Sequence, residues 1–263
     1  MKKLALVLGG GAAKGYAHIG VLKELEKHGI VPDLIVGTSM GALVGGMYAA
    51  GKSVAQLENL ASNFNSLGGF DLISTLFKDN VLNVNKVKKI LDRELGNKTF
   101  EECKIKFVAV ATDIQQGEEE RFSSGLIKDA VLASISIPGV FPRCKLNGKL
   151  YADGGIVNNL AEDVAKELMP DAVILSVDVI GEYSKQVENC KLKALESVLN
   201  AMTIFITNTI KNKPQYADLR IVMSLPTVSQ LDFRSSTSEK TIRKGQLFTR
   251  KYIAKIEELL KGK

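Results

Sequence analysis

"IVGTSMGALVGG", residues 35–46, joins an apolar run to a stretch of small residues that reads as a helix. Its centre, Gly37-Thr38-Ser39-Met40-Gly41, has the form G-x-S-x-G. A serine in that pattern sits on a strained strand-to-helix turn with its hydroxyl presented outward, and side chains at the two flanking glycines would collide with neighbouring backbone. The pattern is short enough to arise by chance in a glycine-rich chain. Its position between a strand and the small-residue segment 42–51 is what makes Ser39 a candidate nucleophile, with Gly37 and Gly41 as its supporting residues.

A second glycine turn lies upstream, "LGGGAAKGYAHIGVL" at residues 8–22. It follows the apolar run "LALVL" (4–8) and leads into a helical pattern over 12–28 that contains Lys14. Such a turn aims free backbone N–H groups and the positive end of a helix at negative charge. That charge is either a nucleotide phosphate or an oxyanion formed during a reaction. A dinucleotide fingerprint expects an acidic residue about 20 positions onward, at the end of the second strand. "LIVGTS" ends that strand without one.

Working outward, apolar runs at 33–37, 105–113, 172–179 and 219–223 alternate with helical patterns. Strand and helix in alternation predict an α/β fold in three layers, with a mostly parallel central sheet covered by helices on both faces. Residues 52–102 break the rhythm: "SVAQLENLASNF" and "NVNKVKKILDREL" read as helices, and "NSLGGFDLISTLFKDN" between them has no strand pattern. This segment reads as a helical cap or insertion over the active-site side, or equally as an ordinary helical layer. Asn147-Gly148 between two alternating runs marks a hairpin. The expectation is one domain over 1–263, completed by helical and strand elements in 190–263.

Composition narrows the classes. The 263 residues are 45% hydrophobic and 24% charged, enough to build a full core rather than a disordered chain. Cys103, Cys144 and Cys190 are odd in number and widely spaced, which fits a reducing compartment and argues against a disulfide framework or a structural zinc site. The apolar run in "MKKLALVLGGG" is shorter than the roughly 7 to 15 residues of a signal-peptide core. No stretch approaches the roughly 18 apolar residues of a membrane span. The net charge of +6 permits attraction to an anionic membrane or to nucleic acid. Nucleic acid is the weaker option, because the chain has no tryptophan and no RNA-binding aromatic signature. Much of the basic excess lies in a last helix (Lys240, Arg243, Lys244, Arg250, Lys251, Lys255) that reads as a solvated face.

A serine hydroxyl needs a base. The only histidines, His18 and His28, precede Ser39, so the order in which acid and histidine follow the serine is impossible. His18 reads as a packed residue of the first helix, and His28 suits that helix's C-terminal dipole. A carboxylate is the remaining choice. Asp153 in "YADGG" is the best candidate because Gly154 and Gly155 let backbone approach closely. Asp113 is the rival, and reads as initiating the turn into "QQGEEE".

These blocks together resemble the patatin-like phospholipases, serine acyl hydrolases with a Ser-Asp dyad. "GGGAAKG" resembles the family's oxyanion turn, "GTSMG" its nucleophile elbow and "DGG" its aspartate segment, with "ASISIPGVFPRCKLNGKLYADGGIVNN" resembling the run into that aspartate. The likeness covers roughly residues 4–160 and rests on the order and joint presence of the blocks. It implies a patatin-like fold and a lipid or acyl-ester substrate. Ser39 is implied as nucleophile, Asp153 as base, and the backbone N–H groups of Gly10, Gly11 and Ala12 as the oxyanion hole, with no cofactor and no metal. Ala12 stands at a family glycine position and supplies its N–H if φ is negative. Lys14 replaces the family arginine, keeping the charge but not the planar fork. Leu160 stands where the family often has proline, with little effect expected on the chemistry. Residues 52–102 and the 194–206 helix are candidates for an apolar acyl channel, and the latter reads more readily as ordinary core. The expected setting is cytoplasmic, with peripheral contact at the inner membrane face. A catalytically weak lipid-binding homologue and a nucleotide-binding protein are the competing readings.

Overall fold

The computed structural model describes residues 1–64, 84–141, 143–181, 194–226, 228–230 and 232–262. The stretch 65–80, read above as lacking strand pattern, and Cys190 lie outside the described residues.

Eight strands form one sheet among the described residues: β1 (Leu4–Leu8), β2 (Leu34–Thr38), β3 (Lys106–Asp113), β4 (Glu118–Phe122), β5 (Cys144–Leu146), β6 (Lys149–Asp153), β7 (Val173–Asp178) and β8 (Leu219–Val222). β3, β2, β1, β7 and β8 run parallel in that spatial order, and β4, β5 and β6 add antiparallel pairings at the β3 end. The helices are α1 (Ala17–Lys27), α2 (Met40–Ala49), α3 (Val54–Asn63), α4 (Val84–Leu95), α5 (Ile127–Ser134), α6 (Glu162–Leu168), α7 (Ala194–Asn212), α8 (Ser235–Arg250) and α9 (Ile253–Leu260).

The three layers follow from strand periodicity. Leu4, Leu6, Leu8, Ile35, Phe107 and Leu175 point into a large core shared with α1 to α5 and α8, while Ala5, Val7, Val36, Val108, Val110 and Ile174 point into a smaller core closed by Leu160, Val164 and Ala165 of the α6 region. Successive strand residues face opposite sides, so a strand buried on both must be apolar throughout. That is why β1 and β2 read as apolar runs, while Ser176 of β7 and Arg220 of β8 interrupt theirs and both bond Glu162.

Two expectations are corrected, and one strand was not read in the sequence. Asp113 leads the turn into "QQGEEE" as expected, and Glu118–Phe122 then pairs antiparallel with β3 as β4. Its charged side chains suit an exposed edge, where Arg121 pairs with Glu119 and Lys149 with Glu120. The first helical stretch opens as a 3-10 turn over Ala12–Tyr16, with Lys14 N–H donating to Gly11 O, before α1 begins. The basic C-terminal helix is two helices, broken where Lys251 and Tyr252 N–H bond three residues back, to Phe248 and Thr249. The break lets Ile256 and Leu260 of α9 reach the core.

α8 packs on α1 through glycines rather than through an apolar stripe. A Cβ on Gly20 would lie 2.0 Å from Ile242 O, and one on Gly245 2.1 Å from Ala17 O. Beside this crossing, Glu24 is fully buried and accepts hydrogen bonds from Arg250 and Gln246. Arg250 leads the groups that hold its carboxyl down at about 2.

Candidate active site

Strand β3 brings two distant segments together. Its residues 109–113 pair with β4 on one edge; the other edge is shared in tandem by β2, through Thr38 opposite Val110, and by β6, with Asp153 opposite Ala111. β2 runs parallel to β3 and β6 antiparallel, so their C-terminal ends meet head-on. Ser39 follows one end and Asp153 terminates the other. Ser39 Oγ donates a 2.6 Å hydrogen bond to Asp153 Oδ2, and Gly155 N–H donates to Asp153 Oδ1 at 2.8 Å.

Local chemistry holds both residues in place. Ser39 has φ 54° and ψ −122° at the N-terminus of α2, a strained conformation for a residue with a side chain. A Cβ on Gly41 would lie 2.0 Å from Leu8 O, so only glycine permits α2 to start this close to β1. Ser39 N–H donates to Ser134 Oγ at 2.8 Å, and Ser134 Oγ in turn donates to Val110 O. Thr38 Oγ1 donates to Asn158 O and Thr112 Oγ1 to Asp153 O. Thr112, Ser134 and Asn158 were not singled out in the sequence, although Ser134 and Asn158 lie inside the run "ASISIPGVFPRCKLNGKLYADGGIVNN". Burial pushes the Asp153 carboxyl up to about 6, against the opposing pull of the hydrogen bonds from Ser39 and Gly155.

The glycine turn lies directly beside this pair. A Cβ on Gly10 would sit 3.0 Å from Ser39 Cβ and 2.4 Å from Asn159 Oδ1. Gly10 N–H is engaged at 3.3 Å with Asn159 O, whereas the N–H groups of Gly11 and Ala12 have no acceptor among the described residues. Of the three implied oxyanion donors, two are therefore free and one supports the turn. Ala12 has φ 47°, so the negative φ set above as the condition for its N–H does not hold, although that N–H is left without an acceptor among the described residues. Replacing Ala12 with glycine is expected to leave stability within about 1 kcal/mol, since relief of the left-handed strain is offset by greater unfolded-state freedom. Ala12→Val, β-branched and ill-suited to this region, is expected to cost about 2 kcal/mol and most of the site's activity. Urea melts of the two variants check both values.

The remaining sequence candidates have other partners. His18 Nε2 donates to Gly9 O at 2.8 Å, and burial lowers its pKa to about 4, so it is a neutral prop of the glycine turn. His28 lies 3.6 Å from Glu24 and from Glu257. Asp113 Oδ1 accepts from Gln115 and Gln116 N–H, capping the β3–β4 turn. Lys14 is lowered by burial against the opposing field of Asp178, which lies at the end of β7. Gly154 is held to glycine by Val110 O, 2.2 Å from where its Cβ would be.

An apolar pocket of about 770 Å³, counting its open mouth, has Ser39 in its wall. Met40 and Leu43 of α2, Leu57 and Leu60 of α3, and Ile90 and Leu91 of α4 supply much of the rest. The helical part of 52–102 thus covers the serine. Among the described residues α7 contributes nothing to this wall, which corrects its place as a channel candidate. One face of it is core, with Leu199, Thr203, Ile206 and Thr207 buried, while Val198, Ile204 and Phe205 on the other face are exposed. Among the described residues no three of His, Cys, Asp or Glu cluster as metal ligands, and no helix is long and apolar enough to cross a membrane.

Fold and site together define an α/β protein with a serine elbow facing a buried carboxylate. The patatin-like phospholipase family model matches residues 6–166, and the chain belongs to that family. It is 32% identical over 237 residues to "Lysophospholipase nte1" of Emericella nidulans, covering 88% of this chain and 15% of that protein. It is 40% identical over 162 residues to an uncharacterized NTE family protein of Mycobacterium tuberculosis, covering 60% of this chain and 44% of the relative. The chain therefore spans less than half the length of these relatives. In fold it is similar to VipD from Legionella pneumophila, with a TM-score of 0.52 at 16% identity, over 95% of this chain and 66% of that one. The structure is thus a three-layer α/β fold of the patatin-like kind.

Proposed function

We propose that this chain is a lipid acyl hydrolase that cleaves fatty-acyl esters through a Ser39 acyl-enzyme, with Asp153 as its base. The observation that carries the proposal is the 2.6 Å Ser39–Asp153 hydrogen bond, set in the wall of an apolar pocket and beside two unengaged backbone N–H groups. The name of the Emericella relative supports a lysophospholipid substrate, and the family description a phospholipid. The acyl chain occupies the pocket under α3 and α4.

In the first step Ser39 Oγ attacks the ester carbon while Asp153 takes the hydroxyl proton. The resulting oxyanion is stabilised by the N–H groups of Gly11 and Ala12, with Gly10 holding the turn in place. A single such donor typically contributes about 2.7–4 kcal/mol to transition-state stability. Collapse expels the alcohol, which takes the proton from Asp153 and leaves an acyl-serine. Water then repeats the cycle, giving up a proton to Asp153 and releasing the fatty acid as Ser39 recovers its own. Lys14, beside Asp178, adds positive charge near the turn without the two-pronged geometry of arginine.

A buried carboxyl at about 6 is a better base than an exposed aspartate and is still ionised at neutral pH. The reaction needs the ionised form, so kcat/KM is expected to fall tenfold per pH unit below about 6 and to level off above it. Hydrolysis of a soluble nitrophenyl acyl ester checks this profile. A panel of lysophospholipid, diacyl phospholipid and acylglycerol, assayed for released fatty acid, identifies the preferred class. Absence of Ser39-dependent release from every member would favour the competing readings, a catalytically weak lipid-binding homologue or a nucleotide-binding protein.

A further inference from the structure

The helix α7 has two unlike faces. Its inner face touches the candidate site at two points. Thr203 Oγ1 accepts from Gln230 Nε2 at 2.6 Å, and Gln230 O accepts from Ala13 N–H at 3.1 Å in the same 3-10 turn that contains Ala12. Ile206 Cδ1 lies 3.5 Å from where a Cβ on Gly155 would be, next to Asp153. The outer face carries Val198, Ile204 and Phe205, which are 45%, 42% and 55% exposed. Helical spacing places these three, with Ala201 between them, on one arc opposite the buried Leu199, Thr203, Ile206 and Thr207.

We propose that this outer face of α7 is the surface by which the protein docks on an anionic lipid bilayer, delivering its substrate to the adjacent site. The inference rests on the lipid-hydrolase reading given above. Charge as well as apolarity supports a bilayer as the occupant. Beyond Glu196 in its first turn α7 contains no Asp or Glu, and its C-terminal end carries exposed Lys211, followed by Lys213, which pairs with Asp163 at 3.8 Å. A basic end on an apolar helix face matches anionic headgroups above acyl chains. The acyl pocket is walled by α2, α3 and α4 with no contribution from α7 among the described residues. A lipid lifted from a bilayer beneath α7 therefore enters past Asp153 and Gly155, with its chain directed across Ser39 into the pocket.

The test uses the full chain in a Ser39→Ala background, so that vesicles stay intact and binding is read independently of catalysis. The chain has no tryptophan, so Phe205→Trp introduces a sole reporter at the centre of the face. With vesicles of phosphatidylcholine mixed with phosphatidylglycerol, its emission is expected to shift to the blue, and less so with phosphatidylcholine alone. The triple variant Val198→Ser, Ile204→Ser, Phe205→Ser is expected to lose at least about tenfold in vesicle partitioning, from the lost apolar burial. With Ser39 restored, the same triple variant is expected to hydrolyse a soluble short-chain ester at the wild-type rate. An unshifted tryptophan with vesicles, or undiminished partitioning of the triple variant, would overturn the inference. So would a blue shift that tracks protein concentration without vesicles, which would make a second copy of the chain the occupant. Failure of Ser39 chemistry in the ester assay would strike the hydrolase reading and leave the binding result legible.

Discussion

Asp153→Asn is expected to abolish hydrolysis and, at neutral pH, to make the protein more stable. The carboxyl is buried, and folding raises its pKa from 3.8 to about 6. A raised carboxyl pKa means that the folded state disfavours the charge. Its stabilising contribution is therefore present below the unfolded pKa and is lost as pH rises towards the folded one. Above about pH 6 that loss is roughly 3 kcal/mol, because each tenfold difference in proton affinity between the folded and unfolded states corresponds to about 1.36 kcal/mol. Asparagine removes the charge and can still accept from Gly155 N–H, while its amide faces Ser39 Oγ in place of an acceptor oxygen. The imperfect match offsets part of the gain, leaving about 1–2 kcal/mol, or several degrees in midpoint for a chain of this size. The amide cannot take a proton from Ser39, so the rate should fall by at least about 10⁴-fold. Thermal melts at pH 7.5 and pH 4 separate the causes, because the stabilisation should be present at the first and absent at the second. Destabilisation at both would mean that the carboxylate serves the fold rather than the chemistry.

Gly41→Ala is expected to have the largest effect on the fold of any single methyl added near the site. The new Cβ would lie 2.0 Å from Leu8 O, 2.6 Å from Leu8 C and 2.8 Å from Gly9 O. All three are backbone atoms of a fully buried central strand and the turn that follows it, so no side chain can move aside. The first turn of α2 must lift from β1, at a cost of about 3 kcal/mol or more. That movement carries Ser39 away from both Asp153 and the glycine turn, and a shift of about 1 Å at reacting atoms can cost about 10²-fold in rate. Gly117→Ala is the matched control. Gly117 has φ 70° and nothing within 4 Å of its Cβ position, so only the left-handed backbone is penalised, by about 1 kcal/mol, with activity retained. Chemical denaturation and ester hydrolysis of the pair distinguish a steric wall from a general intolerance of alanine.

Where a signal was local, the chain could be read directly. Buried parallel strands are largely apolar, so β1, β2, β3 and β7 stood out as runs, and β8 did so although Arg220 interrupts it and Val222 is exposed. The hairpin was legible in Asn147-Gly148, whose φ values of 50° and 81° are those of a tight turn between β5 and β6. The elbow announced itself because Gly37 and Gly41 are required by contacts within a few residues or with the preceding strand. The features that escaped reading depend on partners far along the chain. β4 consists largely of charged residues and becomes a strand only because β3 offers it an open edge. Glu24 is buried because its hydrogen-bond partners Arg250 and Gln246 arrive from the C-terminal region, more than 200 residues along the chain. Asn159 reads as an ordinary loop residue, and yet its backbone carbonyl engages Gly10 and so divides the three N–H groups of the glycine turn into two free donors and one support. A negative φ at Ala12 was the condition set for its N–H, and the turn imposes φ 47° instead.

The head-on meeting of β2 and β6 along one edge of β3 gives Ser39 its reactivity in this account. Intact-mass and peptide-mapping spectrometry after treatment with a fluorophosphonate probe tests that claim most directly. One adduct per chain is expected, on Ser39, forming more slowly as the pH drops below about 6 and not at all in Asp153→Asn. An unmodified chain, an adduct on another serine, or undiminished labelling of Asp153→Asn would contradict it.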